Sequence, residues 1–182
     1  MRLFVAIDIP AEIKDALRCF ISRLRPTAKI GWSPVDNLHI TTKFIGETPE
    51  PRLDEVKRTL TSVPVNGAID IAVKGLGWFP NQRHPRVFWA GIEGGEPLRA
   101  LARATEQAVA ALGVPIEERV YSPHLTLARI REAVPLDYLH QTIESFPAGC
   151  GFDFGSFSAT QFFLYLSASG KYTQLAGFRL DQ

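Results

Sequence analysis

The chain contains His39-Ile40-Thr41-Thr42 and, further on, His124-Leu125-Thr126-Leu127. In each tetrapeptide a histidine and a threonine stand two residues apart, inside a run that reads as a β-strand. Alternate residues of a strand share a face, so His39 goes with Thr41 and His124 with Thr126. If the two strands face one cleft, two imidazoles and two hydroxyls converge on a small volume. Imidazole titrates near about pH 6.5, so one ring can accept a proton while the other donates one. Displacement at phosphorus needs both acts together, an activated incoming oxygen and a protonated leaving oxygen roughly in line. The hydroxyls of Thr41 and Thr126 suit the non-bridging oxygens held between them. Lys43 has the parity of His39 and Thr41 and would add positive charge there. Arg129 falls nominally on the face opposite His124, with a side chain long enough to return to a cleft from a strand end. Trp32, Phe79 and Tyr165 are candidates for stacking on a base, worth about 1–3 kcal/mol per base.

Other chemistries fit less well. A lone histidine on a strand is more often structural than catalytic, and His84, in a polar loop, and His140, on a helix surface, take that reading. For His39 and His124 the repeated neighbour pattern favours catalysis. A catalytic zinc needs a third protein ligand and a water, and neither histidine has a carboxylate or cysteine at strand or helix spacing, so no metal and no cofactor is expected. There is no Gly-x-Ser-x-Gly elbow, P-loop or dinucleotide fingerprint. Cys19 and Cys150 are too few and too unpatterned for a disulfide framework and read as buried or idle thiols.

The elements that position these residues follow from periodicity. A strand over 3–7 leads through Pro10 into a helix whose apolar stripe is Ile13, Ala16, Leu17, Phe20, Ile21 and Leu24. The first motif's strand spans 38–45, followed by a helix over 51–60 and a strand over 68–73. The second half repeats the order: a strand over 87–92, a helix marked by Leu98, Leu101, Thr105, Ala108, Val109 and Leu112, and the second motif's strand over 124–130. A short helix with Leu136, Leu139 and Ile143 precedes strand material over 152–166. Residues 172–180 return as a hairpin turned at 167–170. From Arg2-Leu3-Phe4-Val5-Ala6 to Arg86-Val87-Phe88-Trp89-Ala90 is a step of 84 residues, and from His39 to His124 a step of 85. A duplicated unit of about half the chain, with approximate halves 1–82 and 83–182, accounts for both and would bring the motifs face to face. Strand–helix repeats suggest a parallel sheet, but the hairpin tail and two tandem units favour α+β with two antiparallel-rich sheets.

Composition sets the outer bounds. The chain has 182 residues, 46% hydrophobic and 21% charged, which suits one compact soluble domain with a good core. A net charge of +1 predicts no grip on long nucleic acid but leaves room for a pocket binding one nucleotide or an RNA end. No apolar stretch approaches the roughly 20 residues of a membrane span. No secretion signal opens the sequence, so the cytoplasm and no membrane are expected.

With these residues in view, His-Ile-Thr-Thr-Lys-Phe-Ile-Gly (39–46) and Ser-Pro-His-Leu-Thr-Leu-Ala-Arg (122–129) resemble the paired motifs of the two-histidine (2H) phosphoesterases. The likeness is to the RNA 2′,3′-cyclic phosphodiesterase branch, also called 2′-5′ RNA ligases. It extends to Arg-Leu-Phe-Val-Ala-Ile-Asp at the start, Asn37-Leu38, Pro85-Arg86-Val87-Phe88-Trp89-Ala90-Gly91, and Leu164-Tyr165 with Ser167. The resemblance implies a bilobal α+β fold of two pseudo-symmetric halves, with a central cleft, helices outside and no metal. It implies action on RNA ends or nucleotides that bear a 2′,3′-cyclic phosphate, opening it to a 2′-phosphate, and a monomer is the expected state. By position His39 would be the proton donor and His124 the proton acceptor. Thr41 and Thr126 would hold the phosphate, and Arg129 falls where the family often has an arginine after its second motif; Lys43 by its parity and Tyr165 by its ring join it as expected substrate-binding residues. Joining tRNA halves through a 2′-5′ linkage, or binding RNA ends without turnover, are the alternatives. One departure stands out: the family usually has an acidic residue after Leu164-Tyr165, where this chain has Leu166.

Overall fold

The computed structural model describes residues 1–147 and 150–180. In chain order these form β1 (Arg2–Asp8), α1 (Ala11–Leu24), β2 (Gly31–Trp32), β3 (His39–Glu47), α2 (Leu53–Thr61), β4 (Ile69–Phe79) and β5 (Val87–Glu93), then α3 (Gly95–Ala110), β6 (His124–Arg129), α4 (Asp137–Glu144), β7 (Asp153–Ala159), β8 (Gln161–Ala168) and β9 (Lys171–Arg179). The strands make two sheets, β3-β1-β8-β9 and β2-β6-β5-β4-β7. Every pairing is antiparallel, so the α+β expectation holds.

Alternation along β1 shows how the layers form. Leu3, Val5 and Ile7 are at most 1% exposed and enter the main core. Phe4 and Ala6 point the other way and form a small second cluster with Tyr165. Helix α1 contributes Ile13, Leu17, Phe20, Ile21 and Leu24 to the main core, the stripe its 3.6-residue period demands. Leu98, Leu101 and Val109 do the same from α3. The main core runs unbroken through both sheets and all four helices.

Two details differ from the periodicity reading and a third narrows it. Two-residue β2 is too short to show a period, yet it covers the edge of β6. The strand material over 152–166 divides around Thr160, and its two parts join different sheets. The hairpin turn lies at Ser169 (φ 50°) and Gly170 (φ 77°), consecutive left-handed residues that match a tight two-residue turn.

The halves also interleave. β4 lies in the second sheet, whereas β8 and β9 lie in the first. Register places Ala6 opposite Thr41 and Trp89 opposite Thr126, so β1 maps onto β5 by a step of 83 residues, one fewer than the sequence match. The reason is visible in the side chains. Phe4 stacks on His39, whereas Phe88, its sequence match, is fully buried in the main core against Trp78.

Candidate active site

His39 opens β3 and His124 opens β6, and each ring is anchored in the same way. His39 Nδ1 donates to the Asn37 carbonyl at 2.7 Å, and His124 Nδ1 donates to the Ser122 carbonyl at 2.8 Å. A carbonyl can only accept, so the proton sits on Nδ1 and Nε2 is the nitrogen left for chemistry. Asn37 is itself tied to the β8–β9 turn, its Nδ2 donating to the Gly170 carbonyl at 2.9 Å.

Each motif strand bulges one residue after its threonine. On β3 the register passes from Ala6–Thr41 to Val5–Lys43 and skips Thr42; on β6 it passes from Trp89–Thr126 to Phe88–Ala128 and skips Leu127. An extra residue reverses the alternation beyond it. Lys43 therefore does not share the face of His39 and Thr41. Its side chain turns inward, where Nζ meets Glu106 Oε1 and the Pro115 carbonyl, both at 2.8 Å. The same shift brings Arg129 onto the face of His124 and Thr126, contrary to strict parity. It also exposes Phe44 on the face of Thr41, at the place on β3 that matches Arg129 on β6.

The two motif strands lie against each other. The Tyr121 hydroxyl, from the loop before β6, donates to the Thr41 carbonyl at 3.0 Å. Ser33 Oγ donates to the Thr126 carbonyl at 2.7 Å, and Ser33 N to the Leu127 carbonyl at 2.9 Å. The charge of Arg129 is felt by both imidazoles and disfavours the protonated form of each.

Burial is the largest influence on both rings and pushes each below the ordinary histidine value. For His39 the Asn37 carbonyl and Asp8 oppose that push, while Lys14 and Arg129 add to it. For His124 the Ser122 carbonyl opposes it and Arg129 adds to it. Burial also drives the Tyr165 phenol well up, helped by the charge of Asp8 and by a hydrogen bond to its carboxylate.

Aromatic rings wall each histidine. Phe4 stacks on His39 at 4.6 Å, Tyr165 stacks on Phe4 at 5.2 Å, and Tyr172 meets His39 edge-on at 5.1 Å. Phe79 meets His124 edge-on at 4.9 Å, and Trp89 lies 6.5 Å from it. Gly77 lets the Trp89 indole lie flat on β4, since a Cβ there would come within 2.0 Å of the ring. Of the three proposed stacking residues, Phe79 and Tyr165 flank the histidines. Trp32 pairs with Ala128 on the core side, donates from Nε1 to the Ala28 carbonyl and packs edge-on against Phe88. Leu166, where the family's acidic residue was expected, also packs against the main core.

His84 is exposed, and His140 on α4 lies 5.1 Å from Trp78 and meets Gln82. Cys19 and Cys150 are exposed rather than buried, and unpaired. Among the described residues no three His, Cys, Asp or Glu side chains are grouped to hold a metal, and no helix is long and apolar enough to cross a membrane. Asp8, Phe4, Phe44, Trp89 and Tyr172 were not singled out from sequence. Phe4 and Asp8 lie in or just beyond the strand read over 3–7, but only the pairing of β1 with β3 shows that their face meets His39.

The sequence matches the family described as LigT like Phosphoesterase over residues 7–89 and 92–161. It is 35% identical over 167 residues to the RNA 2′,3′-cyclic phosphodiesterase of Methanocaldococcus jannaschii, covering 92% of this chain and 91% of that one. Among solved structures, a Thermus thermophilus protein superposes with a TM-score of 0.78 at 30% identity, covering 99% of this chain and 98% of the other. E. coli LigT complexed with 3′-AMP superposes at 0.76 with 27% identity, covering 100% and 98%.

Proposed function

Because the chain belongs to the LigT-like phosphoesterase family, we propose that it hydrolyses terminal 2′,3′-cyclic phosphates of RNA to 2′-phosphates, using two histidines and no metal. The observation that carries this reading is the matched anchoring of His39 and His124 through Nδ1, which leaves both Nε2 atoms available for proton transfer on two strands that pack against each other. Water attacks phosphorus as His124 Nε2 takes one of its protons. The bond from phosphorus to the 3′ oxygen breaks on the opposite side, and His39 Nε2 supplies the proton to that oxygen. The 2′ ester bond stays intact. Thr41 and Thr126 hydroxyls hold the non-bridging oxygens, and Arg129 offsets the charge that builds on them. The relatives named as RNA 2′,3′-cyclic phosphodiesterases support the choice of substrate.

A cyclic-phosphate-terminated oligonucleotide incubated with the protein in excess chelator tests the proposal. The expected result is full turnover to a 2′-phosphate, with His39→Ala and His124→Ala each about 10²–10⁴-fold slower. A 3′-phosphate product, dependence on added metal, or tight binding without turnover would each reject it.

A further inference from the structure

The two motifs match in strand, bulge, anchoring carbonyl and aromatic wall, so the difference between their strand partners is informative. Asp8 on β1 is the register partner of His39, and Gly91 on β5 is the register partner of His124. Directly opposed residues have Cβ atoms about 4.5–5.5 Å apart on one face. Asp8 is half-buried there, and its carboxylate accepts a hydrogen bond from the Tyr165 hydroxyl. Tyr165 stacks on Phe4 with only 10° between the rings, and Phe4 stacks on His39. The carboxylate is thus held by the same aromatic column that holds the imidazole. At Gly91 no such group fits, because a Cβ would lie 2.3 Å from the Lys74 carbonyl oxygen.

The charged groups around the rings sharpen the contrast. His39 feels Asp8 from β1, Lys14 from α1 and Arg129 from β6, and the rings of Tyr165 and Tyr172 face it from β8 and β9. His124 feels Arg129, with Phe79 and Trp89 facing it from β4 and β5. Asp8 is the anion among these groups, and it faces one histidine only.

We propose that Asp8 is a positioning residue that holds the shared proton on His39 and leaves His124 neutral, so that β1 assigns the acid and β5 the base. The proposal rests on the two-histidine hydrolase reading and supplies what the motifs alone lack, a physical reason for the division of labour.

The test is kcat/KM against pH for the protein and for Asp8→Asn, together with NMR titration of the two imidazoles in both. Asp8→Asn should pull the alkaline limb, set by the acid, to lower pH by about one unit and leave the acidic limb in place. Above the optimum that is about a tenfold loss of rate. The His39 ring should titrate lower by the same amount, the His124 ring should not move, and Asp8→Glu should restore most of the limb. A uniform loss at all pH values, a shift of both limbs together, or an unmoved His39 titration would overturn the proposal. The titration reads the coupling of Asp8 to His39 even if cyclic phosphates prove not to be substrates, so failure of the hydrolase reading is separately visible. Should Asp8→Asn not fold, the unaltered protein decides: His39 titrating above His124 supports the assignment, and the reverse order overturns it.

Discussion

Arg129 shares a face with His124 and Thr126 because Leu127 is skipped in the pairing of β5 with β6, and its charge pushes both rings toward the neutral form. Burial pushes in the same direction. The working state carries one proton between the two rings, and it is most populated midway between their titrations. Both titrations lie below 6.5, so kcat/KM should peak on the acid side of pH 6.5. Replacing Arg129 with Gln should move both limbs of the profile to higher pH, unlike a change at Asp8, which should move one. It should also slow turnover roughly 10- to 100-fold, since hydrogen bonds to charged groups are worth about 1.5–3 kcal/mol. An unshifted profile would place the guanidinium outside the cleft. At this scale the sequence showed the two His-x-Thr pairs, because their identity and spacing repeat. It misassigned the faces of Lys43 and Arg129, because one unpaired residue in each strand reverses the alternation and leaves no mark of its own in the residue order.

The inward turn of Lys43 gives β3 a second task. Its ammonium, with a side chain 2% exposed, binds Glu106 on α3, and Glu106 also accepts from the backbone N–H of Glu117 at 2.8 Å. The pair therefore straps the 115–117 segment to β3, a few residues before His124. Burial alone would raise the Glu106 carboxyl, yet the bonds from Lys43 and Glu117 outweigh it and hold the group below the ordinary carboxylate value. Removing one partner of a buried pair leaves a charge without compensation, at a cost of about 3–5 kcal/mol. Glu106→Gln should approach that loss in a denaturant melt. Lys43→Met should lose less, because it removes the deeply buried charge and leaves a carboxylate whose side chain is 23% exposed. The opposite ranking would mean that the strap is not held by this pair. Among the elements themselves, the amphipathic helices were plain because a 3.6-residue stripe runs over several turns. Two-residue β2 has no period to read, and the strand material over 152–166 shows no break in its apolar pattern at the place where the chain changes sheets.

Across the whole molecule, the repeat and the sheets do not share a boundary. Residues 1–82 hold β4, which sits between β5 and β7 inside the second sheet; residues 83–182 hold β8, which sits between β1 and β9 inside the first. Sequence can suggest a recurring unit, but not that residues 1–82 supply β2 and β4 to the second sheet and residues 83–182 supply β8 and β9 to the first, because that exchange is set by long-range pairing. Separation at residue 82 would take β4 out of the second sheet, with Ile69, Ile71 and Val73 all at most 3% exposed in the intact fold. At about 1.5–3 kcal/mol for each buried side chain, that alone removes roughly 5–9 kcal/mol. A domain is stable by only about 5–15 kcal/mol in total. The first sheet would lose Phe162 and Leu164 of β8 in the same cut, and β1 would keep an unpaired edge whose amides have no partner. Neither 1–82 nor 83–182 should therefore show a cooperative melt or dispersed amide resonances alone, whereas mixing them should recover both signals together with turnover. A cooperative transition in either fragment by itself would show that the exchanged strands are accessory, and that each half carries its own core.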